Sequence, residues 1–154
     1  MAPIKPVAIA FGSNLGDREK HLRDAARQVA AFVHHLRLSS FHDTDPVGVG
    51  PQPRFLNAAA VGTTDLEARA VLDRLLAIEA SLGRQRPYAG APRTVDLDLL
   101  LYDDAVIDEA GLILPHPRFR ERRFVLAPLA EVAPEWIDPV TGKSVTTLLA
   151  ELPA

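Results

Sequence analysis

The sequence predicts an α+β sandwich, an antiparallel sheet with helices packed on it, and three observations predict it. Short apolar, β-prone runs and longer amphipathic runs follow the order strand, helix, strand, strand, helix, strand. Glycine, proline and acidic caps punctuate the joints. A chain of 154 residues with no cysteine is long enough to bury a core without disulfides, so residues 1–154 are read as a single domain.

Each element has its own signal. Val7 to Ser13 reads as a first strand that ends in Gly12-Ser13-Asn14-Leu15-Gly16. Asp17 is placed to cap a helix running to about His34, which makes His34 and His35 solvated helix residues. Leu36 to Phe41 is a second strand. His42 to Arg54 carries three prolines and two glycines and reads as a loop, the kind of segment that tends to carry function. Phe55 to Thr63 is a third strand, and Asp65 caps a helix to about Leu82 that Gly83 stops. A loop from Arg84 to Pro92 leads into a fourth strand through Tyr102, after which Asp103-Asp104 turns into a short hairpin strand around Val106. Further helices are expected near Phe124 to Glu131 and Val145 to Leu152. This is a ferredoxin-like βαββαβ sandwich, whose helices cover one face of the sheet, plus a C-terminal hairpin and helix extension.

The fourth strand holds the chemistry. In Arg93-Thr94-Val95-Asp96-Leu97-Asp98-Leu99-Leu100-Leu101-Tyr102, Asp96 and Asp98 project from one face about 6 to 7 Å apart while Val95, Leu97 and Leu99 fill the other. Two carboxylates so close repel unless one takes up a proton or a cation joins them. A pair of magnesium ions, which favour carboxylate oxygen and keep waters for substrate phosphates, answers that need. The alternative is a half-exposed strand with two solvated acids. Arginines weigh against it. Arg84, Arg86 and Arg93 precede the strand, and Arg118, Arg120, Arg122 and Arg123 follow Pro115-His116-Pro117. Guanidinium forks beside metal-binding acids are the parts of a phosphoryl-transfer site.

Composition excludes other classes. The net charge of -3 argues against nonspecific nucleic-acid binding, so the arginines point to a local anion site. Val7 to Phe11 is too short for a signal peptide, and nothing approaches the roughly 20 apolar residues of a membrane span. A cytoplasmic protein with no membrane contact and no obligatory protein partner is expected.

Four separated motifs carry a resemblance. Gly12-Ser13-Asn14-Leu15-Gly16-Asp17, Phe55-Leu56-Asn57-Ala58-Ala59, Gly90-Ala91-Pro92-Arg93-Thr94-Val95-Asp96-Leu97-Asp98 and Pro115-His116-Pro117-Arg118 with Arg122 and Phe124-Val125-Leu126 resemble the 6-hydroxymethyl-7,8-dihydropterin pyrophosphokinase family. The resemblance runs from about Val7 to Pro134. It implies transfer of the pyrophosphoryl group of ATP to the hydroxymethyl oxygen of the pterin, releasing AMP, in folate biosynthesis. It implies that Asp96 and Asp98 bind two Mg2+ ions, and that Arg84, Arg86, Arg93, His116 and Arg122 contact or close over the triphosphate, with Glu79 near the nucleotide. Arg84 and Arg93 join the two acids as the catalytic set. On the pterin side it implies Phe55 and Phe124 stacked on the ring, Asn57 bonding its edge, and Thr44, Pro46 and Val47 lining the pocket. The Trp that many relatives carry just before Gly90 is absent, and any stacking or sealing role is lost or passes to Tyr88. A different phosphoryl transferase or a noncatalytic sensor on the same fold are the rival readings; the first lacks a use for the aromatic-Asn-aromatic set and the second for the paired acids.

Overall fold

The structure, a computed structural model, describes residues 3–45, 53–83 and 94–153. Its layout follows from the first strand, β1 (Lys5–Ser13). Val7-Ala8-Ile9-Ala10-Phe11-Gly12 alternates large and small, so one face of the strand is filled and the other is nearly flat. Two helices, α1 (Arg18–Val29) and α2 (Ala68–Ser81), lie on the large face. There Leu22, Ala25, Val29, Val71, Leu75 and Ile78 cluster with Val7, Ile9 and Phe11.

β1 runs between β4 (Phe55–Thr64) and β5 (Asp96–Tyr102), while β2 (His34–Leu38) and β3 (His42–Thr44) both pair with β4. The order β2-β4-β1-β5 with antiparallel pairing throughout is the ferredoxin-like arrangement, its second strand split in two. A hairpin of β6 (Ile107–Glu109) and β7 (Leu112–Leu114) follows, turning at Gly111 with φ 77°.

The two helices of the sandwich lie on one face as expected, and the small face is covered by the C-terminal extension, whose placement the sequence left open. Helices α3 (Arg123–Val132) and α4 (Val145–Ala150) bury Val125, Leu126, Leu129, Val145 and Leu148 against Ala8, Ala59, Val61 and Leu100. Short side chains on the strands let these helices sit close. The cover is pinned by Asp138, which is buried and accepts hydrogen bonds from Arg120, Thr141 Oγ1 and the Val140 amide. Burial alone would raise the Asp138 carboxyl, but these donors outweigh it and lower its pKa to about 2.

Four boundaries depart from the sequence reading. Helix α1 ends at Val29, because Phe32 and Val33 are buried in the turn that follows and Val33 N donates to Val29 O at 2.9 Å. His34 and His35 are therefore exposed strand residues, His35 in a left-handed conformation (φ 56°) where the β2 register shifts. His42 to Thr44, read as loop, is the strand β3. Glu67 and not Asp65 precedes α2, and Thr64 Oγ1 accepts from Leu66 N at 3.2 Å at that turn.

Candidate active site

Asp96 and Asp98 leave β5 on the small face of the sheet, as their spacing requires, with Leu97 and Leu99 in the core on the other. Register sets their neighbours. Asp98 lies opposite Ala10, and Asp96 opposite Gly12, which in turn lies opposite Asn57 on β4. The row Asn57, Gly12, Asp96 crosses three strands with no side chain at its centre. A methyl group on Gly12 would stand 3.4 Å from Asn57 Oδ1 and 3.9 Å from the Phe55 ring. The glycine thus keeps a flat floor between an amide and the acids.

Walls rise from both sides of this floor to enclose a cavity of about 370 Å3. On one side stand Thr44, Asp45, Phe55 and Asn57; on the other, Arg118, Arg122, Phe124 and Val125. Asn57, 6% exposed, donates from Nδ2 to Thr44 Oγ1 at 2.6 Å, so strand β3 orients the amide. The Arg122 guanidinium lies 5.6 Å from the centre of the Phe124 ring, a cation-π contact that joins the charged and aromatic parts of this wall.

A second cavity, of about 290 Å3, opens on the other side of β5. It is lined by Leu72, Leu76, Ile113, Pro117, His116 and Glu79, and it shares Asp96 and Asp98 with the first. Glu79 is buried, and its Oε2 accepts a 2.7 Å hydrogen bond from Leu97 N, the backbone amide between the two acids. The helix thereby satisfies an amide on the outer edge of β5 and fixes the strand that presents the carboxylates. His116 is held by its own amide, which donates to Leu100 O at 2.9 Å. Its Nδ1 accepts from Arg118 N at 3.2 Å, which assigns the neutral ring's proton to Nε2, 3.9 Å from Asp98 Oδ1. Burial first, then the nearby Arg122 and Arg118 charges, lower the His116 pKa against the opposing pull of Asp96.

The structure therefore brings together Thr44, Phe55, Asn57, Glu79, Asp96, Asp98, His116, Arg122 and Phe124. Arg84, Arg86, Arg93, Pro46 and Val47, with Tyr88, lie outside the described residues. The second arginine cluster divides. Arg118 and Arg122 face the cavity, whereas Arg120 is bound to Asp138 and Arg123 donates to Pro153 O at 3.1 Å, contacts that tie these two to the helical cover. Gly12, which the sequence alone does not mark as a site residue, is a floor residue of the site; its signal is a glycine in strand register with both Asn57 and an acid.

Among the described residues no group of three or more His, Cys, Asp or Glu is placed to hold a metal ion. Two carboxylates alone, opening on a cavity, do not make the closed nitrogen and sulfur cage of a structural zinc site. They do suit magnesium, which is held through one or two carboxylates and completes its shell with water and phosphate oxygen.

The sequence can be placed among known proteins. The family model for 7,8-dihydro-6-hydroxymethylpterin-pyrophosphokinase (HPPK) matches residues 8–134. The chain belongs to this family. A Bacillus subtilis 2-amino-4-hydroxy-6-hydroxymethyldihydropteridine pyrophosphokinase is 48% identical over 126 residues, covering 80% of this chain and 75% of its own. Those of Methylorubrum extorquens and Synechocystis are 40% and 36% identical, covering 94% and 99% of this chain and 91% and 83% of theirs. Among solved structures, Plasmodium falciparum HPPK-DHPS wild type with pteroate matches 98% of this chain with a TM-score of 0.76 at 12% identity, a likeness of fold. This chain spans 43% of that longer one. No helix among the described residues is long and apolar enough to cross a membrane.

Proposed function

We propose that the chain transfers the pyrophosphoryl group of ATP to the hydroxymethyl oxygen of 6-hydroxymethyl-7,8-dihydropterin, giving the pterin diphosphate and AMP, in folate biosynthesis in the cytoplasm. Residues 1–154 act as one catalytic domain. The observation that carries this reading is that two cavities of different character meet at Asp96 and Asp98. A reaction between two substrates needs such an arrangement, with the reacting atoms brought together over the groups that neutralise charge.

The first cavity takes the pterin. Phe55 and Phe124 offer aromatic faces to a flat ring, and Asn57, oriented by Thr44, offers donor and acceptor to its edge. Pro46 and Val47 are further pterin-binding residues in this reading. The second cavity takes the nucleotide, with Leu72, Leu76 and Ile113 as apolar surface for the base and Glu79 at its back. His116 and Arg122, joined by Arg84, Arg86 and Arg93, bind the triphosphate. The His116 Nε2 proton is a neutral donor to a phosphate oxygen, and Arg122 with Arg93 and Arg84 offsets charge gathering on the AMP that leaves. Asp96 and Asp98 are the residues that hold magnesium, two ions in this reading. Magnesium bound there would polarise the β-phosphate and lower the pKa of the attacking hydroxyl. The new bond joins the hydroxymethyl oxygen to the β-phosphorus, the bond from that phosphorus to the α,β-bridging oxygen breaks, and the hydroxyl proton passes to solvent.

AMP release tests this directly. With ATP, magnesium and the hydroxymethyl pterin together, AMP and pterin diphosphate are expected in equal amounts, and neither is expected when the pterin is left out. AMP at the same rate without pterin would mean hydrolysis, and no AMP with all three present would sink the reading.

A further inference from the structure

Strand β3 and helix α3 face each other twice. On β3, His42 and Thr44 are two residues apart and leave the same side of the strand, opposite Asn57 and Phe55 respectively. On α3, Phe124 and Glu131 are seven residues apart, two helical turns or about 10.5 Å, and so share a face. Thr44 and Phe124 line opposite walls of the first cavity. Behind it, His42 and Glu131 meet, with Nε2 2.6 Å from Oε1. Ser40 adds to the join: its Oγ lies 2.6 and 2.8 Å from the two Glu131 oxygens, and its amide donates to Oε2 at 3.2 Å. The hydrogen bond from His42, and then that from Ser40, hold the Glu131 carboxyl below the usual range.

Between these two rungs β3 and α3 meet only sparsely, and each rests mainly on β4. An open groove of about 500 Å3 separates them, lined by Ser40, Phe41, His42, Arg123, Phe124 and Ala127. Among the described residues β3 pairs with β4 alone, and no second strand lies along its outer side. Packing of both elements on β4 sets their coarse spacing, and the polar join ties them to each other directly behind the cavity. A serine, a histidine and a glutamate together suggest a nucleophile, but the geometry is wrong. Ser40 Oγ stands 3.4 Å from His42 Nε2 and is already committed to the carboxylate, so the imidazole is not placed to take its proton.

We infer that Ser40, His42 and Glu131 are positioning residues that set the width of the pterin slot by bracing β3 against α3. This rests on the reading of the first cavity as the pterin site. The brace touches neither substrate. It holds Thr44, and through it Asn57, at a fixed distance from the Phe124 ring, so that a flat ligand enters a slot already formed.

Glu131→Ala and His42→Ala test the brace in the steady-state AMP-release assay with both substrates varied. The KM for the pterin is expected to rise about fivefold to tenfold in each, the effect of lost preorganisation, while the KM for ATP and the kcat at saturation stay within about twofold. Glu131→Gln keeps an acceptor for His42 and Ser40 and is expected to restore most of the pterin KM. Ser40→Ala removes a surface hydroxyl, remains folded, and is expected to shift the same constant by about twofold to threefold. A purely structural role would lower the melting temperature without separating the two KM values. Equal changes in both constants, or no change in either, would overturn the inference. Failure of the wild-type protein to release AMP would instead overturn the function on which it rests.

Discussion

The two faces of the sheet are made by the same strands and do opposite things. On the large face, Val7, Ile9 and Phe11 meet α1 and α2 in an apolar layer closed from end to end. On the small face, Ala8, Ala59, Val61 and Leu100 begin the same way beneath α3 and α4, but the cover stops short. Beyond it the residues become Gly12, Asn57, Asp96 and Asp98, around a cavity. Alternation along a strand separates the two tasks at the level of single residues. Leu97 can anchor the core while the residues on either side of it face the cavity. Polar groups that would weaken a core are supported from outside it, Asp96 and Asp98 by the Glu79 bond to their strand and Asn57 by Thr44.

That division predicts which property each substitution changes. Asp98→Ala or Asp96→Ala should have the largest effect, lowering kcat by about a thousandfold or more, with the melting temperature nearly unchanged. Turnover near the wild-type value at saturating magnesium would remove these acids from the chemistry. Leu75→Ala, on the closed face, should do the reverse. Its side chain is fully buried, so the cavity left behind should cost about 2 to 5 kcal/mol in denaturant titration, with substrate KM values unchanged in the protein that remains folded. A loss of pterin affinity without loss of stability would show that the faces are not separate.

Asp138→Asn breaks the helical cover without touching the site. The wild-type carboxyl has a pKa of about 2 when folded and 3.8 as its ordinary value, so the unfolded chain binds protons first as pH falls. The stability it contributes is fully present above about 4 and is lost between about 4 and 2, on the order of 2 kcal/mol. The variant should unfold more easily at neutral pH by a similar amount and show a flatter acid limb. An unchanged acid limb would mean that the Arg120 pair does not hold the cover. Gly12→Ala has the smallest expected effect and the sharpest meaning. An ordinary contact of 3.4 Å to Asn57 Oδ1 lets the empty protein fold normally, yet the added methyl raises the floor, and pterin affinity should fall by about tenfold or more. Calorimetric titration showing wild-type pterin affinity would mean that the ring does not lie over that strand.

Much of this was readable in the chain. The Asp96 and Asp98 pair declared its geometry because a two-residue period has one meaning on a strand, and the core positions of β1 and α2 followed from the same logic. The end of α1 did not show, since Ala30 and Ala31 continue a helical pattern and only the burial of Phe32 and Val33 turns the chain. Nor did β3, because three residues in a stretch of turn formers carry too little local preference; pairing with β4 makes it a strand. The arginines misled in part. Nothing local distinguishes Arg120 from Arg122, and the difference lies in Asp138, distant in sequence, which claims one of them. Gly12 was legible only with the register known, because its importance is the position opposite Asn57.

The order in which the small face acquires its cover matters during synthesis on the ribosome. The ferredoxin-like unit is complete at Tyr102, but Arg122 and Phe124 arrive with α3 and the Asp138 anchor follows later still. A nascent chain can close its large face early, while Ala8, Ala59 and Leu100 stay uncovered until the final helices emerge. Catalytic competence is then gained only after the large face has closed, and a ribosome stalled before α3 would display a half-clothed sheet to chaperones.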